Sequence, residues 1–181
     1  LDWIQKVNAG ALSEKWPGGR WLVLLDAAAF VATTPLDLGK VKPAFVALSF
    51  YKIFGFPTGC GALLIRNDIG DSLMNPYFGG GTVTSILLDP GTCSSATVPK
   101  LHERYEYGTP NFLAICALHH GFKRLSALGM AHIRDHAFAL SQHMSSRLSG
   151  LKHTNGHQMV VVYGNRSEEH TSELQSRQVI S

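Results

Sequence analysis

Phe45-Val-Ala-Leu-Ser49-Phe-Tyr51-Lys52-Ile-Phe-Gly55-Phe-Pro57-Thr58-Gly59-Cys-Gly61-Ala-Leu-Leu-Ile-Arg66 is the stretch whose reading decides the fold. An apolar run of strand length ends in Ser-Phe-Tyr-Lys, a Gly/Pro/Thr turn follows, and a second apolar run leaves it. Lys52 stands alone among mostly uncharged residues. An ammonium is costly to bury unpaired. A lysine at the end of a core strand is therefore either at the surface with its stem packed, or held in place for its amine.

Working outward, Trp21–Leu25 is a continuous apolar run of the kind that forms an interior parallel strand, with Asp26 at its carboxyl end. A strand over Ala44–Ser49 would deliver Lys52 to the same edge as Asp26. In open α/β sheets ligands gather outside the carboxyl ends of the strands, although an acid there also serves as a plain cap or turn residue. The connection from Lys52 to Gly61 is shorter than the dozen or so residues that a crossover helix takes. The strand over Ala62–Arg66 is therefore expected antiparallel, giving a mixed sheet.

The flanking segments read less sharply. Trp3, Ile4 and Val7 suggest a helical turn within Leu1–Gly10, and Trp16-Pro-Gly-Gly19 a loop. Thr33-Thr34-Pro35 suggests a short helical turn ending by Gly39. Asn67-Asp68 and Asn75-Pro76 are turn signals. Gly79-Gly80-Gly81-Thr82 would let backbone amides approach a ligand, or is simply a loop. Asp89–Pro99, rich in Gly, Thr, Ser and Pro, reads as loop. Thr109-Pro110-Asn111 opens a helix with apolar positions Phe112, Ile115, Cys116, Leu118, Phe122 and Leu125, ending near Gly129. A second helix over Met130–Leu148 carries Ile133, Ala137, Leu140, Met144 and Leu148 as its stripe, and Gly150 stops it. Met159–Tyr163 reads as the first strand of a further domain.

Composition narrows the function classes. The chain has 181 residues, 45% of them hydrophobic and 16% charged, which suits a buried sheet covered on both faces. The net charge of +3 is small and its cations are scattered, so no nucleic-acid surface is expected. No run approaches a membrane span and no charged leader precedes an apolar stretch, so a soluble, cytoplasmic protein without a membrane partner is expected. Cys60, Cys93 and Cys116 lack Cys-x-x-Cys spacing, which argues against a disulfide framework and a zinc site and fits a reducing compartment. His132 and His136 would share a helix face without an evident third ligand, and His119-His120 reads as one packed and one solvated ring, so no metal is assigned.

The lysine segment resembles that of class V aminotransferase-fold enzymes, and within them the molybdenum cofactor sulfurases. Leu24-Leu25-Asp26-Ala-Ala-Ala-Phe-Val-Ala-Thr-Thr-Pro35, Tyr77-Phe-Gly-Gly-Gly-Thr82 and Tyr105-Glu-Tyr-Gly-Thr109 carry the same likeness, over roughly residues 1–163. The resemblance implies an α/β fold of the type I PLP-dependent transferase class. Residues 1–128 would be part of the large domain, with a mixed, mostly parallel sheet; 129–164 would be a linking helix and the start of the small domain. Because such enzymes are far longer and the chain opens on Leu1, it is expected to be an internal piece. Residues 165–181 read as an artefactual tail, since Arg166-Ser-Glu-Glu-His-Thr-Ser-Glu-Leu-Gln-Ser176 resembles a translated sequencing adapter.

The same resemblance implies pyridoxal 5'-phosphate as cofactor. Lys52 would hold its aldehyde as a Schiff base, Asp26 would face its pyridine nitrogen, and Ser49 and Tyr51 would bind its phosphate. Many relatives have histidine where Tyr51 stands, and glutamine where Ala29 stands. Thr109 would reach the phosphate of a neighbouring subunit in a homodimer, with helix capping as its plainer role. The implied activity takes sulfur from L-cysteine as a persulfide and passes it to the molybdenum cofactor of xanthine dehydrogenase and aldehyde oxidase. A general cysteine desulfurase, or an inert structural piece, are the alternatives. The nucleophilic cysteine matches none of Cys60, Cys93 or Cys116, and the ring-stacking residue is expected to lie before Leu1.

Overall fold

In a computed structural model of the chain, residues 1–89 and 92–163 are described, and side chains are described for all of these except 89 and 92–97. Phe45–Ser49 (β2) is the middle strand of a three-stranded sheet. It pairs in parallel with Leu24–Asp26 (β1) and antiparallel with Gly61–Ile65 (β3). The register sets Asp26 beside Ala47 and Ser49 beside Gly61. The sheet is mixed, as expected, but it is not mostly parallel: among the described residues it has one ladder of each kind. β1 also starts later than Trp21. Trp21 tilts against the Trp16 ring at 5.7 Å instead of pairing, and the strand begins only after Val23, whose carbonyl accepts from Ala44 and Phe45.

Four segments depart from the expected course. The turn after β2 contains one helical turn, Phe50–Phe54 (α4), ended by Gly55 at φ 79°. Phe30–Thr33 (α3) ends where the Thr33–Gly39 turn was expected to begin. Thr34 precedes Pro35 and is extended, because proline disfavours a helical predecessor, and Asp37 turns the chain by accepting from the Gly39 amide at 2.9 Å. Asp89–Pro99 is not loop throughout: Val83–Asp89 (β4) and Thr92–Thr97 (β5) form an antiparallel hairpin. Backbone pairing with the apolar β4 overrides the turn-like composition of β5. Met159–Tyr163 carries no strand; an isolated bridge joins Lys152 to Gln158 instead. The tail assigned to residues 165–181 lies outside the described residues.

Asp2–Asn8 (α1), Ala11–Lys15 (α2), Asn67–Gly70 (α5) and Leu101–Arg104 (α6) are short. Phe112–Leu128 (α7) and Met130–Ser149 (α8) follow the apolar periodicity and meet at Gly129. Ile4, Val23, Ala27, Ala44, Val46, Ile69, Ala114 and Leu118 are the buried apolar residues. The stripe on α8 is not buried, and Leu140 and Met144 face solvent. Arg66 bonds Asp68 and holds its carboxyl below the usual range.

Candidate functional site

β1 and β2 run parallel, so their carboxyl ends share one edge of the sheet. Asp26 is paired with Ala47, and Ser49 lies two residues further along β2; with side chains alternating along a strand, the carboxylate and the hydroxyl belong to one face. One Asp26 oxygen accepts from the Ala28 amide at 3.0 Å, while the Ala27 amide bonds Ala47 O at 3.0 Å and ties the end of β1 to β2. Ser49 is the extended residue before α4, and its hydroxyl makes no cap bond. Tyr51 and Lys52 follow on α4, both exposed, and the Lys52 ammonium has no hydrogen-bond or ion-pair partner among the described residues. The structure therefore brings Asp26, Ser49, Tyr51 and Lys52 to one edge.

The placement of α4 depends on contacts that the sequence reading did not assign. Phe50 and Phe54, four apart, stack in parallel at 6.3 Å, and Phe122 of α7 meets them edge-on at 6.1 and 5.0 Å. Phe54 also lies against the bare backbone of Gly121. At about 100° per residue, Lys52 falls on the side of α4 away from this contact. Spacing of Phe50 and Phe54 was the available signal; nothing in the sequence named Gly121 as their seat.

Thr109 stands elsewhere. It is exposed and lines a cleft of about 420 Å³ with Gly80, Gly81, Glu106 and Tyr107, and none of Asp26, Ser49, Tyr51 or Lys52 lines that cleft. Thr82, nearly fully buried, folds the glycine loop by bonding Gly79 through its hydroxyl, and Tyr77 packs edge-on to Tyr107 at 5.1 Å. The cap of α7 is not Thr109: the Asn111 side chain accepts from the Ala114 amide at 3.2 Å. Ala29 is exposed and presents only a methyl group near the end of β1. Cys60 is half-buried and Cys116 exposed, while the side chain of Cys93 lies outside the described ones. His132 Nδ1 lies 3.0 Å from Leu128 O, and the His119 and His120 rings are 5.8 Å apart.

An amine, a carboxylate and hydroxyls on one edge form a donor set with distinct capacities. The amine condenses with a carbonyl, the carboxylate faces a protonated nitrogen, and the hydroxyls donate to an anion. No helix among the described residues is long and apolar enough to cross a membrane.

The family described as aminotransferase class-V matches residues 12–172. The chain is 47% identical to the molybdenum cofactor sulfurase of Bos taurus over 90% of its own length, and spans 18% of that protein. Its fold is similar to the cysteine desulfurase of Thermococcus onnurineus NA1, with a TM-score of 0.56 and 26% identity over 76% of this chain and 35% of that one. It is also similar in fold to a C-DES variant solved with glycine covalently linked to its PLP cofactor, at a TM-score of 0.63 and 22% identity over 79% and 37% of the two chains.

Proposed function

We propose a role that proceeds from one premise, that this chain belongs to the aminotransferase class-V family: it supplies part of the cofactor site of a PLP-dependent sulfurtransferase. The protein that carries it takes sulfur from L-cysteine as a cysteine persulfide and passes it to the molybdenum cofactor. The observation that carries this reading is that Asp26 and Lys52 follow parallel strands to the same sheet edge, on a chain 47% identical to a molybdenum cofactor sulfurase.

The donor set fits pyridoxal phosphate. Lys52 offers an amine with no competing partner among the described residues, and Asp26 keeps one carboxylate oxygen clear of the Ala28 bond. Bound there, the cofactor would draw electrons from the substrate carbon. Lys52 anchors it and is the group that takes up and returns protons at its own Nζ. Asp26 holds a proton on the ring nitrogen by its negative charge. The hydroxyls of Ser49 and Tyr51 donate to the phosphate, and Thr109 does so across a two-fold homodimer. Residues 1–128 belong to the large domain, 129–164 begin the small one, and the setting is cytoplasmic.

A general cysteine desulfurase is the second reading, favoured by the structural likeness to such an enzyme. It shares Asp26 and Lys52 and differs in the sulfur acceptor. The test is borohydride reduction of the full-length protein with pyridoxal phosphate, followed by peptide mapping. The label is expected on Lys52, and label on another lysine overturns the assignment. Sulfuration of desulfo molybdenum enzymes, set against free sulfide release alone, separates the two readings.

A further inference from the structure

Lys52 has no hydrogen bond or ion pair of its own among the described residues, so its position is borrowed from α4. α4 is one turn long and has no side-chain cap, so it does not hold itself in place. Its first end is fixed by the sheet: Ser49 pairs with Gly61, and the Phe50 amide donates to Cys60 O at 3.1 Å. Its last end rests on α7, where the Phe54 ring lies on Gly121 and meets Phe122 edge-on at 5.0 Å. A Cβ placed on Gly121 would lie 2.6 Å from two carbons of the Phe54 ring, including Cγ, and 2.9 Å from a third. Because the overlap reaches Cγ, which turning the ring about χ2 leaves in place, relief takes either a different χ1, which gives up the contact with Phe122, or a shift of α4 against α7. Gly121 is not in the left-handed region, so backbone conformation does not explain the glycine. Space for Phe54 does.

From this geometry we propose that Gly121, far along the chain from the lysine, is a positioning residue for Lys52. Its missing side chain is the seat that fixes the far end of α4, and through α4 the height of the amine above the sheet edge where Asp26 stands. The inference rests on the reading of Lys52 as the cofactor lysine. A displacement near 1 Å at a reacting group lowers rate by roughly 100-fold, and bringing the 2.6 Å approach at Gly121 out to ordinary contact takes a shift of about that size at Phe54, on the turn that carries Lys52.

The experiment uses the full-length protein carrying Gly121→Ala, Phe54→Ala, or both substitutions together. Three quantities are read: borohydride-fixed label on Lys52 at limiting pyridoxal phosphate, the pH midpoint of the visible band of bound cofactor, and kcat and KM for L-cysteine. Gly121→Ala is expected to lower the label at least ~10-fold, to move the midpoint, and to lower kcat ~10- to 100-fold with KM within ~3-fold. The double variant, from which Cγ and both Cδ carbons of residue 54 are gone, is expected to recover at least ~5-fold of both label and kcat relative to Gly121→Ala. Phe54→Ala empties the same contact without overlap and is expected to move the midpoint as α4 loosens. Lowered thermal stability with label, midpoint and kcat unchanged would show a packing role only and overturn the proposal, as would a double variant no better than Gly121→Ala. Absence of label on Lys52 in the unsubstituted protein would instead defeat the functional reading, and the inference with it.

Discussion

Asp26 is the residue whose surroundings say most about its use. It ends a strand, lies exposed, and spends one oxygen on the Ala28 amide two residues on, an ordinary turn bond that any strand-end aspartate makes. Its charge is not consumed by a neighbouring cation among the described residues, and Lys52, on the same edge, is equally unpaired. An acid and a base left apart at one edge suit a molecule held between them. Asp26→Asn keeps the size and the turn bond but removes the charge. In the full-length protein it is expected to lower turnover on the order of 100-fold while the cofactor's visible colour remains, read by steady-state kinetics beside an absorption spectrum. Unchanged turnover would show that the acid lies elsewhere. That Asp26 and Lys52 stand at one edge of the sheet was legible in the sequence, because each comes at or just after the end of an apolar run. The alanine in place of a glutamine at position 29 was legible too, and it presents only a methyl near the end of β1.

At the scale of elements, α7 links the two clusters. Its first turn follows Thr109 and the cleft, and its middle seats α4 through Gly121 and Phe122. Asn111 caps it, so Asn111→Ala is expected to lower unfolding stability by about 1 kcal/mol, whereas Thr109→Ala leaves it nearly unchanged. Chemical denaturation of both variants checks this, and equal losses would return the cap to Thr109. The helix itself was readable because its signals agree: a capping side chain, apolar spacing and a terminal glycine. β2 and β3 were readable for a similar reason, since two apolar runs flank a connection too short to cross over, whereas the helical turn α4 between them was not. β5 was not, because its serines and threonines gain strand geometry only from pairing with β4. The start of β1 was misplaced because Trp21 finds the Trp16 ring, a contact that no periodicity announces.

Across the whole molecule, apolar surface remains open. Leu24 and Leu63, 59% and 54% exposed, flank the sheet on the face shared by Phe45 and Ala47, and Leu88 on β4 is 80% exposed. β1 and β3 each have an edge without a partner among the described residues. Surfaces of this kind associate in water. Residues 1–163 expressed alone are therefore expected to elute as large assemblies, to bind apolar dyes strongly, and to release no sulfide from L-cysteine above a cofactor-only control. A monodisperse, catalytically active product would show that the piece is sufficient by itself. The two ladders of the sheet also differ in when they close. The antiparallel ladder brackets Phe50–Cys60, whereas β1 reaches β2 only across the longer stretch from Ala27 to Ala44. A shorter closure forfeits less chain entropy and forms sooner. The expected order of folding thus sets the lysine turn before the aspartate is drawn alongside. Pulse-labelled amides of Val46 and Leu64 should be protected ahead of that of Leu25, with the reverse order counting against it. Assembly of the edge is then a sequence in time, in which Lys52 waits for Asp26.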